Sequence, residues 1–291
     1  MFRIDGVTAI VLCSFLWSTG GVFIKFIQAS SLAIAGIRSS IALVIFMIVL
    51  KKLPVFCIKT TEGTTDRKKT LYLWLAGFFY AATMILYCVA NKLTTAANTI
   101  LLQYTNPLYI IIFSPVILKE KNSKYDYLTF AGVMIGVVMF FADGVDGGKL
   151  LGNILAALSG VTFGFCTIFM RAQKSEGSAN SFMLAHLMTS LFGLPFVFIG
   201  NGTTADAMSW IFVCLMGIFQ MAFATLCYSR GIGKVSALSA GIITMIEPLM
   251  NPVWVMIFAH EIPGPMCMAG GAIILFCILI QEIFTARKKK A

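Results

Sequence analysis

Glu247 stands in the run MIEPLMNP (residues 245–252) and carries the sole charge between Val235 and Ala259. A carboxylate in apolar surroundings must hold a proton, meet water or meet a cation, and intramembrane acids are functional more often than not. Pro248 and Pro252 beside it remove backbone donors and free carbonyls that need partners or a wet cavity. Ala240, Thr244, Glu247 and Asn251 recur at helical spacing, and Thr99, Gln103 and Asn106 form a similar stripe at i, i+4 and i+7. Arg38 lies within another apolar run, and Ser14, Trp17, Ser18, Gly21 and Lys25 share one face of the first. A carboxylate with several amides at similar depth, and a guanidinium about 5 Å further out at about 1.5 Å per residue, suit reversible binding of a small solute, or of a proton in its place. The alternatives are structural: Glu247 bonded to a neighbouring helix, Arg38 and Lys25 snorkelling to the headgroups, Trp17 packed in the core.

The elements that must hold these residues follow from composition. The chain has 291 residues, 59% hydrophobic and 12% charged, where a soluble domain carries about 25% charged residues. This is an all-α membrane protein. Ten segments are long enough to cross about 30 Å of hydrocarbon as helices: 7–27, 32–50, 71–90, 97–118, 125–142, 151–171, 181–200, 208–229, 237–258 and 264–284. Glu247 falls ten residues into the ninth, about 15 Å deep at about 1.5 Å per residue, at the bilayer midplane. The first segment exceeds a signal-peptide core and no A-x-A site follows it.

The net charge of +10 reports membrane orientation, not a nucleic-acid partner. Arg3, the cations of 51–70 and 119–124, Arg171, Lys174, Arg230, Lys234 and the cluster at 287–290 share one side, whereas Lys92 and Lys149 take the other. The positive-inside rule then puts both termini in the cytoplasm and the chain in the cytoplasmic membrane, with Lys92, Asp146 and Asn201 external. Asp143 and Asp146 read as solvated loop charges, and Asn201-Gly-Thr203 is a weak glycosylation pattern.

The two halves can be superposed. GVTAIVLCSFLWSTGGVFIK (6–25) matches GNILAALSGVTFGFCTIFMR (152–171), pairing Trp17 with Phe163 and Lys25 with Arg171. TTAANTILLQYTNPL (94–108) matches VSALSAGIITMIEPL (235–249), placing Pro107 on Pro248, Asn106 on Glu247 and, further on, Glu120 on Glu261. With five spans in each half (1–146 and 147–291), the second half enters the membrane inverted. Inverted repeats that rock about a midplane site are a transporter device. The pairing predicts the fourth and ninth spans facing each other, with Gln103, Asn106, Thr244 and Glu247 on a shared polar wall.

The opening LWSTGGVFIK, the run TTAANTILLQYTNPLYIIIFSPVILKEK, the EP of MIEPL and the closing His260-Glu261 together resemble the drug/metabolite transporter superfamily, EamA type. The resemblance covers nearly the whole chain. It implies transport of a small metabolite through a central cavity lined mainly by the early helices of each half. Arg38 occupies the position matching the family's second-span arginine, and the seventh span offers His186. The first half departs from the EP pattern, with Asn106-Pro107 in its place.

Other classes lack parts. The chain has two histidines, no HExxH and no aspartate pair within the spans, so a membrane-embedded enzyme has no visible machinery. No P-loop is present for ATP-driven pumping. The eight cysteines show no CxxC or metal spacing and read as apolar fillers, and no cofactor is implied. A channel-like facilitator would build its pore from rings of subunits, whereas one chain here already holds both halves. The expected solute is an amino acid or related amphipathic compound, moved by alternating access between the bilayer's two sides, efflux included. Its site is expected at Trp17, Ser18, Arg38, Gln103, Asn106, Thr244, Glu247 and Asn251. Glu120 and Glu261, at opposite membrane faces, are expected as caps or gate partners, and Gly132 with Gly136 as a close helix contact.

Overall fold

Several helices in this chain begin at a short polar side chain that caps the first turn. Helix α1 (Gly6–Ser18) starts at Asp5, whose carboxylate accepts from the Thr8 amide at 2.9 Å. Helix α2 (Ser31–Leu50) starts at Ser30, accepting from the Ala33 amide at 3.2 Å, and α3 (Arg67–Leu93) at Asp66, accepting from the Lys69 amide at 3.0 Å. Such caps satisfy amides that lack an intrahelical partner. Hydrogen bonds from Thr8 and Lys69 hold the Asp5 and Asp66 carboxyls below the ordinary carboxylate range. Both caps therefore persist at neutral pH and are lost only as pH falls through those lowered values.

The computed structural model describes residues 5–290 except 21–22, 25–26, 60–62, 95, 142–149, 200–205 and 260–264, together with the backbone alone at some helical positions. The remaining helices are α4 (Ala96–Gln103), α5 (Asn106–Ile117), α6 (Lys124–Phe141), α7 (Leu150–Ala172) and α8 (Lys174–Gly193). Next comes α9 (Ala207–Leu215), which passes through a π-helical turn, Met216–Phe223, into α10 (Ala224–Gly231). The chain closes with α11 (Ala237–Ile243), α12 (Ile246–Ala259) and α13 (Pro265–Lys290). Lys25, Asp143, Asp146, Lys149, Asn201, His260 and Glu261 lie outside the described residues.

Among the described residues, six stretches are long and apolar enough to cross a membrane: Ser31–Leu50, Arg67–Leu93, Asn98–Ile117, Leu150–Ala172, Gly177–Phe198 and Ala207–Gly231. Gly6–Ser18, Ala237–Met250 and Met268–Ile280 are shorter apolar helices. Ile48, Val116, Leu128, Val138 and Leu191 point outward. A lipid surround, as apolar as these side chains, makes that exposure costless.

Helix α7 occupies the middle, packed along α3 and against α4 and α5, while α8 packs on α2 and α3. Helix α1 lies against α10 and α12, and α6 pairs with α13 at the periphery. That peripheral pair meets at the expected small residues: a Cβ at Gly132 would stand 2.7 Å from Cys277 Sγ, and one at Gly136 2.7 Å from Ile274. Around the centre the core is aromatic. Trp17 contacts Phe163 edge-on at 5.7 Å, and Tyr228 and Tyr80 at 5.5 and 6.5 Å. The two residues paired by the internal repeat, Trp17 and Phe163, thus touch.

Candidate functional site: a cavity between two broken helices

The fourth and ninth apolar segments are both interrupted near their centres. Helix α4 ends at Gln103 and α5 begins at Asn106, while α11 ends at Ile243 and α12 begins at Ile246. The intervening turns use the same bonds. The Tyr104 amide donates to Ile100 and the Thr105 amide to Leu102, at 3.0 and 3.3 Å. Across the repeat, the Thr244 amide donates to Ala240 and the Met245 amide to Ile242, at 3.0 and 3.1 Å. Pro107 and Pro248 lie in the first turn of the helices that resume, where a missing N–H costs little. The first break is accommodated by α7: a Cβ at Gly160 would stand 2.8 Å from the carbonyls of both Gln103 and Leu102, and one at Gly164 3.1 Å from that of Asn106.

A cavity of about 50 Å³ opens beside the breaks, room for about four waters. Of the expected site residues, Trp17, Arg38, Gln103 and Glu247 line it. Glu247 sits in the first turn of α12, where the positive end of the helix dipole meets its carboxylate. The Tyr104 hydroxyl donates to Glu247 Oε2, so the two breaks are joined by a side-chain hydrogen bond. Arg38 is 1% exposed. Its guanidinium donates to Gln220 Oε1 at 3.3 Å and to Cys88 Sγ at 3.1 Å, while its Nε finds no partner among the described residues. It does not snorkel. Trp17 Nε1 is likewise buried without a partner among the described residues, so two N–H donors of cavity-lining residues are unpaired there.

Three expected residues do not line the cavity. Ser18 is committed elsewhere: its hydroxyl donates to the Phe15 carbonyl at 2.6 Å and accepts from Trp254 Nε1 at 2.9 Å. Thr244 is fully buried, donating to the Gly241 carbonyl at 2.8 Å. Asn106 is fully buried with neither amide atom partnered among the described residues. The reason is shared. Helical spacing puts Gln103 with Asn106, and Thr244 with Glu247, on common faces only if the helix between them is continuous, and each helix breaks there. The side chain of Asn251 lies outside the described residues.

The cavity also takes residues that the polar stripes missed. Tyr80, Thr83 and Tyr87 come from α3 and Gln220 from the π turn. The signal for Gln220 was modest, a lone amide within the eighth apolar segment. His186 is not part of the wall. It is buried 3.5 Å from Thr225 Oγ1, among the rings of Phe46 and Tyr80.

At one end of the bundle, Glu120 accepts from Arg171 Nε at 2.7 Å and from the Ala237 amide at 3.2 Å, while Arg171 also donates to the Gly233 carbonyl at 2.6 Å. This cluster fastens the end of α5 to the end of α7 and to the turn before α11. Glu120, expected as a cap or gate partner, is thus held away from the cavity lining.

Known proteins locate this arrangement. The EamA-like transporter family matches residues 4–142 and again residues 150–281, so the chain belongs to that family: it is a membrane transporter of small molecules. An uncharacterized transporter of Archaeoglobus fulgidus is 26% identical over 275 residues, covering 94% of this chain and 95% of the relative. The pseudopaline exporter CntI of Pseudomonas aeruginosa is 21% identical over 282 residues, covering 96% of each. A protein crystal structure superposes with a TM-score of 0.77 over 97% of this chain and 98% of its own, at 16% identity, which speaks for the fold.

Proposed function

We propose that this chain is a secondary transporter that carries a small zwitterionic or amphipathic solute, an amino acid or a related compound, across the cytoplasmic membrane. The observation that carries the reading is that Arg38 and Glu247 line one cavity without pairing with each other. A solute carboxylate would take the unspent N–H groups of Arg38 and Trp17, and its ammonium, or a proton in its absence, would take Glu247. Gln103 would add an amide between them. Burial makes such charged hydrogen bonds strong and specific.

Two inverted five-helix repeats, 1–146 and 147–291, would rock about this site to give alternating access, in ten spans with both termini cytoplasmic. Support comes from the matching breaks in the fourth and ninth segments, the double family match and the distribution of cations. On this topology the Glu120–Arg171 cluster lies at the cytoplasmic face. The cavity as it stands, about 50 Å³, is too small for a metabolite, so binding would require the halves to part. Outward movement is the favoured direction, by likeness to the pseudopaline exporter.

The test is counterflow in liposomes holding the purified protein, run with a panel of amino acids and their amides. The reading expects saturable exchange that prefers solutes bearing both charges. Flux that never saturates would mark a channel, and chemical conversion of the solute without flux would mark an enzyme; either would overturn it.

A further inference from the structure

Arg38 and Glu247 share a cavity, yet the ion pairs among the described residues are Lys69–Asp66 and Arg171–Glu120. Opposite charges in surroundings of low dielectric attract strongly, yet here each is satisfied by other groups. Each is tied to a neutral partner. Tyr104 donates to Glu247, while Gln220 and Cys88 accept from Arg38. A neutral acceptor orients a guanidinium and leaves its charge unspent.

Gln220 has a second bond. Its Nε2 donates to the Trp17 carbonyl at 3.3 Å, so one amide ties α2 to α1. Two other features converge on it. The π-helical turn Met216–Phe223 contains Gln220, and one extra residue per turn re-aims the side chains that follow. A Cβ at Gly20 would overlap the Gln220 amide, so glycine there leaves the amide its present place and any larger residue would make it shift. The space, the turn and the amide serve one contact.

We propose that Gln220 is a positioning and specificity-determining residue: it holds Arg38 off Glu247, so that the cavity keeps two separate charges for a solute to bridge. Loss of the amide lets the guanidinium swing onto the carboxylate, and the site closes on itself. The inference rests on the reading of this cavity as the solute site, and its test separates the two.

The tether is tested without any solute, by thermal unfolding of the purified full-length protein in detergent. The variants are Gln220→Leu, Glu247→Gln and the double. Once Arg38 pairs with Glu247, removing that carboxylate breaks a buried ion pair, so Glu247→Gln should lower the midpoint by at least about 2 °C more in the Gln220→Leu background than in the wild type. Gly20→Ala displaces the amide without deleting a polar group. It should show the same coupling, and it decides the matter should Gln220→Leu fail to fold. Additive effects in these backgrounds would overturn the proposal, since a residue that merely packs has no reason to couple to Glu247.

Selectivity is read in liposomes with L-phenylalanine and L-phenylalaninamide. Gln220→Leu should reduce the preference for the carboxylate-bearing form about tenfold, the order of a hydrogen bond to a charged group. An equal loss for both probes contradicts the specificity role. If the wild type carries neither probe, the choice of solute in the functional reading fails, and the unfolding cycle still judges the tether.

Discussion

The breaks at Tyr104–Thr105 and at Thr244–Met245 share two backbone hydrogen bonds and differ in the next, where the Leu108 amide donates to Thr105 but the Glu247 amide donates to Thr244, and they end in different chemistry. The first is a packed joint. Asn106 is fully buried and unpartnered among the described residues, its carbonyl lies near Gly164, and Pro107 packs by Gly241 of α11. The second opens on a cavity, where Glu247 is half-buried and takes a hydrogen bond from Tyr104 of the first. Two similar helix breaks thus differ in their side chains, and on the proposed reading those side chains decide which becomes a site. The Asn106–Glu247 difference leaves a carboxylate at the second break alone, with Arg38 on the same cavity.

That contrast can be sharpened or broken by substitution. The largest effect should come from Arg38→Gln, which removes the cationic side of the cavity. Apparent affinity for carboxylate-bearing solutes should fall about thirtyfold or more, the range for truncating a buried charged contact, while amide analogues change by a few-fold; competitive uptake measures both. Gly160→Ala strikes the packed joint, because its Cβ would stand 2.8 Å from two carbonyl oxygens of the break. It should destabilise the protein by about 2 kcal/mol, read from unfolding in detergent.

Tyr104→Phe cuts the side-chain hydrogen bond that joins the two breaks. It should reduce transport about tenfold and alter its pH dependence while leaving the unfolding midpoint near the wild type. The smallest effect belongs to Asn106→Leu, which replaces a buried, unpartnered amide with an apolar group of similar size. Stability should rise by about 1 kcal/mol with transport unchanged. A transport defect there equal to that of a Glu247 variant would erase the distinction between joint and site.

Much of this was legible in the residues. Apolar runs gave the helices, because a membrane makes hydropathy the dominant constraint. Pro107 and Pro248 lie just after the two breaks, and Trp17 and Phe163, aligned as repeat equivalents, touch one another, which the alignment did not foretell. Arg38, Gln103 and Glu247 line the cavity. The positions of Asn106 and Thr244 have one cause. A period of 3.6 residues carries no phase across a break, so Asn106 and Thr244 were assigned to a wall that the broken helices turn away from them. Gln220 was hidden for the complementary reason: a π turn resets the phase, and no stripe of neighbours marks an amide placed that way. Ser18 shows a further limit, since its partner, Trp254, lies on a helix distant in sequence.

The central claim is that Glu247 binds the travelling charge, and the most direct measurement is counterflow by Glu247→Gln in liposomes across mildly acidic to mildly basic pH, with folding verified by its unfolding midpoint. The amide keeps the shape and still accepts the Tyr104 hydrogen bond, but it cannot titrate or balance an ammonium. The account predicts a folded protein whose exchange falls to the level of empty liposomes, with Glu247→Asp retaining part of the activity on a shifted pH profile. Wild-type rates and a wild-type pH profile in Glu247→Gln would contradict it and leave that carboxylate a structural role alone.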